Sequence, residues 1–209
     1  MYKLPVFEKS GKQVGEYEID LDAIAPKTSK QLLHDAVVMY QNNLRQGSAK
    51  TKTRAEVAGS KRKMYSQKGR GAARVGQRRS GIRRGGGHIF AKTPKNWTYR
   101  MPRKALKLAT NMAMVEKVRG ESVKVIDSLS VEEPKTKEIA SVLSNLDLNR
   151  TVLVVIDQVD PNMTLSVRNI RHAKVLPVSD LNAYEILRPY QLLVTKSAMD
   201  QFVKTRVAE

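Results

Sequence analysis

Hydrophobic positions near the N-terminus follow a short period. Residues 2–7 and 14–19 form two apolar runs of strand length, and Ser10, Gly11 and Lys12 between them form a turn signal. Strands joined by so short a turn pair with each other in an antiparallel ladder. We therefore predict a β-hairpin at the start of the chain.

A helical period replaces this pattern after residue 28. Thr28 followed by Gln31 matches the sequence pattern of a capping box. One face of the segment that follows is apolar, with Leu32, Leu33, Ala36, Val37, Tyr40 and Leu44. This recurrence at three and four residues predicts an amphipathic helix that runs to about Gln46.

The second half of the chain alternates helical and strand-like segments. Pro102 and Arg103 open a helix that stops near Gly120, and its apolar face contains Leu106, Ala109, Met112, Ala113 and Val118. Runs typical of buried strands follow at 123–126, 151–156, 174–178 and 191–194. Helical patterns lie at 136–146, 163–171, 181–187 and 197–204. The alternation predicts an α/β fold of the Rossmann-like, three-layer class, in which a mostly parallel sheet is flanked by helices.

Residues 45–104 have almost no apolar period, and their composition sets them apart. They contain 19 Lys and Arg side chains and one acid, Glu56, whereas the rest of the chain contains 19 bases and 19 acids. The formal net charge of +18 therefore arises in this segment, which also holds nine of the 12 glycines. We predict a single α/β domain over residues 1–209, with residues 47–102 inserted between its first two helices as a long, basic, extended loop.

Charge and glycine content also predict how this loop behaves. Repulsion and backbone entropy oppose compact folding while few apolar groups favour it, so residues 47–100 should be mobile without a partner. A solvated linker is the plainer alternative. Tyr65, Phe90, Trp97 and Tyr99 are interleaved with the cations, however, and irregular RNA requires phosphate neutralisation combined with base stacking. We expect a polyanionic partner, nucleic acid before an anionic membrane.

Several other classes of protein find no support in the sequence. The absence of cysteine excludes a disulfide framework, a thiolate zinc site and a cysteine nucleophile. No run approaches the roughly 18 apolar residues that cross a bilayer, and residues 1–10 lack the apolar core of a signal peptide. His34, His88 and His172 fall in separate contexts and indicate no metal site. We expect a soluble, intracellular protein with no membrane partner, no metal and no cofactor.

Two features could suggest an enzyme. Asp127 and Asp157 each end a predicted strand, where α/β folds place catalytic groups, but helix capping or turn closure is the favoured interpretation. The glycine motifs at 69–71 and 85–87 neither follow a predicted strand nor open a helix, which argues against dinucleotide binding. We assign no catalytic residue. A free regulatory RNA-binding protein is the main alternative, and a nucleic-acid-processing enzyme is a weaker one.

Motifs within the loop resemble those of one protein family. They are, in order, Thr53-Arg54-Ala55-Glu56-Val57, Gly59-Ser60-Lys61-Arg62-Lys63, Gln67-Lys68-Gly69-Arg70-Gly71-Ala72-Ala73-Arg74 and Gly85-Gly86-Gly87. Nearly the whole chain is similar, in order and spacing, to the bacterial large-subunit ribosomal protein L-four family. Two departures occur: Met64-Tyr65 replaces the Pro-Trp of many members, and Arg70 stands where Thr is common.

The resemblance implies a non-enzymatic, structural constituent of the large ribosomal subunit in the cytoplasm. It implies 23S rRNA as the partner, with no small-molecule substrate, and binding early in subunit assembly. The loop tip then reaches the polypeptide exit tunnel, where it forms a constriction with the hairpin of a neighbouring ribosomal protein. Together with the charge pattern, the resemblance predicts the following RNA-binding residues: Lys50, Lys52, Arg54, Lys61, Arg62, Lys63, Tyr65, Gln67, Lys68, Arg70, Arg74, Arg78, Arg79, Arg83, Arg84, His88 and Trp97.

Overall fold

The computed structural model describes residues 1–131 and 133–207. The chain divides into two compact units. One contains Met1–Gln41 and the residues from Arg100 onward, and it is termed the α/β unit. The other is Asn42–Tyr99, termed the basic unit.

The α/β unit contains a six-stranded sheet. Its strands are β1 (Tyr2–Phe7), β2 (Gln13–Ile19), β3 (Val123–Ile126), β4 (Val152–Ile156), β5 (Ala173–Pro177) and β6 (Gln191–Thr195). The order across the sheet is β2-β1-β3-β6-β4-β5, and every neighbouring pair is parallel except the antiparallel pair of β1 and β2. The predicted hairpin and the mostly parallel α/β sheet are confirmed.

Helices connect the strands. They are α1 (Leu21–Ile24), α2 (Lys30–Asn43), α3 (Arg103–Arg119), α4 (Thr136–Asn145), α5 (Pro161–Arg168), α6 (Ala183–Leu187) and α7 (Lys196–Val207), with a 3₁₀ turn at Val178–Asp180. The prediction missed α1 because four residues are too few to show a helical period. Each helix in the described part of the chain is too short or too polar to cross a bilayer.

Side chains of the central strand β4 alternate between two apolar cores. Leu153 and Val155 belong to a cluster that includes residues of α2, α3, α6 and α7. Val152, Val154 and Ile156 belong to a second cluster with residues of α4 and α5. Successive side chains of a strand point to opposite faces of its sheet, so helices cover both faces. The predicted flanking of the sheet by helices is confirmed.

The start of α2 differs from the predicted capping box. Ser29 supplies the cap, because its Oγ accepts a hydrogen bond from the Leu32 N–H at 3.3 Å. Thr28 is not the cap, and its hydroxyl is buried without a hydrogen-bond partner. The Gln31 side chain donates to Asp35 Oδ1 at 2.9 Å instead of reaching back. Ser29 has Leu32, not Glu or Gln, three residues later, so it caps the helix with its hydroxyl alone and the capping-box pattern does not identify it.

Three aspartates lie near the carboxyl ends of the strands. Asp160 caps α5, since its Oδ1 accepts a hydrogen bond from the Asn162 N–H at 2.9 Å. Asp127 and Asp157 line one cleft near the carboxyl ends of β3, β4 and β6, and the interpretation that they cap helices or close turns stays a prediction. No group of three or more acids or histidines within residues 1–131 and 133–207 is arranged to hold a metal ion.

Candidate nucleic-acid interface

The basic unit is built from turns and isolated bridges. The described chain forms no helix or strand between the end of α2 and the start of α3. Near its base, the Thr51 N–H donates to the Lys92 carbonyl at 2.9 Å, and the Lys92 N–H donates back to Thr51 Oγ1 at 2.7 Å. The Lys95 N–H donates to the Gly47 carbonyl at 3.1 Å. These bonds hold the two ends of the unit side by side without an apolar core.

Trp97 packs at this base between groups of the unit itself. Its ring centroid lies 4.1 Å from the guanidinium carbon of Arg45 and 4.6 Å from Nζ of Lys95. Gly47 has a φ of +67°, and a Cβ there would lie 2.8 Å from Cδ1 of Trp97. Glycine is required by both the conformation and the contact. The ring is therefore half-buried and already engaged with two cations.

Arg79 is directed into the basic unit. Its residue is only 8% exposed, and its Nη1 donates to the carbonyls of Ala55 at 3.2 Å and Val57 at 2.9 Å. Gly59 lies against its stem, where a Cβ would be 3.2 Å from Cγ. Hydrogen bonds from a charged donor are stronger than neutral ones. Arg79 thus joins segments that are more than 20 residues apart in sequence.

The three consecutive glycines permit close approach of the backbone. The Gly86 N–H donates to the Arg83 carbonyl at 3.0 Å. A Cβ at Gly86 would lie 1.9 Å from the carbonyl oxygen of Ser80. One at Gly87 would lie 2.3 Å from the backbone nitrogen of Arg54. Side chains at these two positions would clash with fixed backbone, so the motif shapes the unit itself.

Glu56 is the single acid of the basic unit, and its charge is balanced internally. The carboxylate accepts a hydrogen bond from the Thr53 N–H at 3.0 Å and lies 3.0 Å from Nζ of Lys50. The bond from the Thr53 backbone, followed by that from Lys50, lowers the pKa of Glu56 below its ordinary value of 4.5. The unit has sixteen Lys and Arg side chains. Nearly all of its positive charge is therefore available to an external partner.

A short ladder begins the tip of the basic unit. Lys63 and Gln77 form an isolated antiparallel bridge, and the Met64 N–H donates to the Gly76 carbonyl at 3.1 Å. Nζ of Lys63 also donates to the side-chain carbonyl of Gln67. These contacts give the motif residues of the tip a defined backbone.

Tyr65 and Arg70 form a pair beyond this ladder. The Tyr65 hydroxyl donates to the Ala73 carbonyl, and the guanidinium carbon of Arg70 lies 4.7 Å from the centroid of the tyrosine ring. The positive charge of Arg70 thus lies over the tyrosine ring, a favourable cation–π arrangement.

Most of the predicted RNA-binding side chains are exposed. They are Lys50, Lys52, Arg54, Lys61, Arg62, Lys63, Gln67, Lys68, Arg70, Arg74, Arg78, Arg84 and His88. Tyr65, Arg83 and Trp97 are half-buried, and Arg79 is buried. Sequence reasoning missed the stack of Arg45 on Trp97, because nothing in a charge pattern relates residues so far apart along the chain.

The composition argued against compact structure in this segment, and the structure differs. Backbone hydrogen bonds across turns, close glycine contacts and Arg79 order it without a core of apolar side chains. Several of these contacts join residues more than 20 positions apart in sequence, which is why composition alone does not reveal them.

Comparison with known proteins identifies the relatives of this chain. Residues 17–205 match the model of the Ribosomal protein L4/L1 family. The Large ribosomal subunit protein uL4 of Rhodopirellula baltica is 47% identical over 202 residues, which cover 96% of this chain and 91% of the relative. The protein of the same name from Desulforapulum autotrophicum is 41% identical, over 96% of this chain and 97% of the relative. That from Moorella thermoacetica is 38% identical, over 95% of this chain and 96% of the relative. The chain therefore belongs to the Ribosomal protein L4/L1 family.

Proposed function

We propose that this chain is a structural, non-enzymatic constituent of the large ribosomal subunit in the cytoplasm, and that it binds 23S rRNA through the basic unit. Membership of a family of large-subunit proteins supports the structural role. One observation carries the proposal for RNA: a single compact unit holds sixteen Lys and Arg side chains, while its one acid is paired internally. The unit therefore has no acidic surface that would repel a polyanion.

Exposed cations on an ordered backbone suit phosphate binding. Each Lys or Arg that neutralises a phosphate releases condensed counterions, which drives association at low salt. The bonds at the base and the turns near Gly86 limit the backbone freedom that binding would otherwise remove. Such contacts position the protein on RNA without specifying a sequence.

We further propose that residues 47–102 act as the rRNA-binding insertion of a domain spanning residues 1–209. In this proposal the chain binds early in subunit assembly. The tip around Lys63 and Tyr65 reaches the polypeptide exit tunnel, where the hairpin of another large-subunit protein is its neighbour. The exposed cations of the tip and its small ladder support this role.

The salt dependence of 23S rRNA binding tests the main proposal. If on the order of 6 to 10 cations engage phosphates, the slope of log K against log salt should be about −4 to −9. Deletion of residues 61–84, which removes ten cations, should flatten the slope. Lys137→Glu, on the exposed surface of α4, is the control and should leave it unchanged. A slope unaffected by the deletion would move the interface to the α/β unit.

The family resemblance also implies that the tip affects the binding of macrolide antibiotics in the tunnel, so macrolide susceptibility tests the placement of the tip. Lys63→Glu replaces attraction to phosphate by repulsion at one exposed position. Because many other cations also contact phosphates, the loss of this one contact should not prevent assembly. Cells with this variant should assemble near-normal amounts of large subunit but respond differently to erythromycin, whereas Lys137→Glu should change neither. Identical dose responses of the Lys63→Glu and wild-type strains would contradict a tunnel position.

A further inference from the structure

Phe90 stands out among the aromatic residues of the basic unit. Its residue is 96% exposed, whereas Trp97 and Tyr65 are half-buried and each lies against a cation of the unit. Tyr99 is 40% exposed. Both faces of the Phe90 ring are therefore open to solvent, an arrangement that leaves a large apolar side chain unused within the unit.

The backbone on either side of Phe90 is fixed. Two residues before it, the His88 N–H donates to the Lys52 carbonyl at 2.9 Å. Two residues after it, Lys92 exchanges hydrogen bonds with Thr51, at 2.9 Å and 2.7 Å. Phe90 lies in the turn between these anchors, which both attach to one short segment of chain. The turn projects the ring outward from a tethered position.

Two further apolar side chains lie close to this turn. Ile89, adjacent to Phe90 in sequence, is 73% exposed, and Ile82 is 89% exposed. A Cβ at Gly81 would be 2.7 Å from Cγ1 of Ile89, so the isoleucine lies against the residue that precedes Ile82. The three exposed apolar residues therefore lie on two neighbouring turns, which form one region of the unit.

The charge around this region indicates which kind of molecule would bind it. Lys52, Arg54, His88 and Lys92 are exposed on the segments that carry or anchor the turn. An apolar protein surface covering Phe90 would desolvate these cations without supplying counter-charges. An unpaired nucleotide instead offers a flat base for the ring and phosphates for the cations.

We propose that Phe90 is a stacking site for an unpaired base of the bound RNA, with Ile82 and Ile89 forming an apolar border. This inference rests on the proposed function and adds to it a contact that charge does not supply. The basic unit would then bind RNA through two separable components, a salt-dependent one from its cations and a salt-independent one from this ring.

Binding of a 23S rRNA transcript to the full-length chain tests the proposal. Phe90→Leu keeps an apolar side chain but removes the ring, and should weaken binding by roughly 5- to 140-fold, the range that base stacking supplies. Phe90→Tyr should bind within about twofold of the wild type, since it keeps the ring. Neither variant should alter the slope of log K against log salt, because no phosphate contact is lost. Lys92→Gln should instead reduce the slope by about 0.7 to 0.9.

Photocrosslinking of the same transcript, with 5-iodouridine in place of uridine, locates the contact. We expect an adduct on Phe90 that is absent from the Phe90→Leu variant. Val159→Ala, at a 69%-exposed position of the α/β unit, is the control for loss of an exposed apolar group. Because Phe90 lies at the surface, its substitution should change the stability of the protein very little. Unfolding would therefore not explain a loss of RNA binding.

The outcomes separate the two proposals. Wild-type affinity in the Phe90→Leu variant would overturn the stacking site and leave RNA binding by the unit intact. Normal RNA affinity combined with loss of the variant from isolated large subunits would also overturn it, in favour of a protein occupant. If the wild-type chain itself binds no 23S rRNA, the proposed function fails, and the stacking site fails with it.

Discussion

The α/β unit and the basic unit are stabilised by different interactions. The α/β unit has two clusters of buried apolar side chains and nearly balanced charge. In the basic unit the structure buries Arg79 and Gly87 but no apolar side chain. Its order comes from hydrogen bonds, an ion pair and cation–π contacts. A chain segment can thus have a defined backbone without a core, but its local stability should be low.

The largest expected effect concerns the core of the α/β unit. Leu153→Ala removes a side chain that is 1% exposed in the central strand β4, and should lower the free energy of unfolding by about 2 to 5 kcal/mol. Ile82→Ala, at an 89%-exposed position of the basic unit, should change it by less than about 0.5 kcal/mol. Urea unfolding followed by far-UV circular dichroism measures both. Similar losses in the two variants would contradict the contrast between the units.

A second prediction uses Trp97, the single tryptophan of the chain, as a reporter of the basic unit. Its fluorescence should change at a urea concentration roughly 1 M or more below the midpoint seen by far-UV circular dichroism, because local opening needs less free energy than global unfolding. Arg45→Gln removes a cation from the ring and should widen the separation. Coincident transitions would mean that the two units unfold together.

A third prediction compares neighbouring arginines. Arg79→Met removes two hydrogen bonds to backbone carbonyls and should destabilise the basic unit locally by about 1 to 3 kcal/mol. Arg78→Met, at an exposed position, should have little effect on its structure. Limited proteolysis should therefore cleave the Arg79→Met variant faster within residues 42–99. Equal cleavage rates would show that the buried guanidinium does not organise the unit.

The smallest expected effect is a dependence on pH. The folded-state pKa of Glu56 is lowered, so its contribution to order is present above the unfolded value near 4.5 and is lost as pH falls through the folded value. The amide proton resonance of Thr53, which donates to this carboxylate, should shift with a midpoint below pH 4.5. Glu56→Gln should abolish the titration. A midpoint above 4.5 in the wild-type chain would contradict the assigned hydrogen bond.

Buried strands and amphipathic helices were the features most accessible from sequence. The boundaries predicted for β3 agree with the structure, and α3 begins at the predicted Arg103 and ends one residue before Gly120. In both cases apolar side chains recur with the period of the element that buries them. The hydroxyl that caps α2 and the four residues of α1 depend on the local path of the chain, which no periodicity records.

The candidate interface was predictable in composition but not in detail. Charge and motif order identified the segment, while the inward direction of Arg79 could not be inferred from its exposed neighbour Arg78. Its carbonyl partners lie more than 20 residues earlier in sequence. The assignment of individual RNA contacts and the mobility of residues 47–100 in the free protein remain predictions.

The edges of the sheet bear on the solubility of the chain before it meets any partner. Along the β2 edge, Glu16 and Glu18 lie 3.0 Å and 3.5 Å from Nζ of Lys3 on β1. The opposite edge, β5, contains the exposed Lys174 and ends in Pro177, which has no amide hydrogen to donate. Charged side chains and proline both discourage the addition of a strand from a second molecule. The sheet should therefore resist edge-to-edge aggregation.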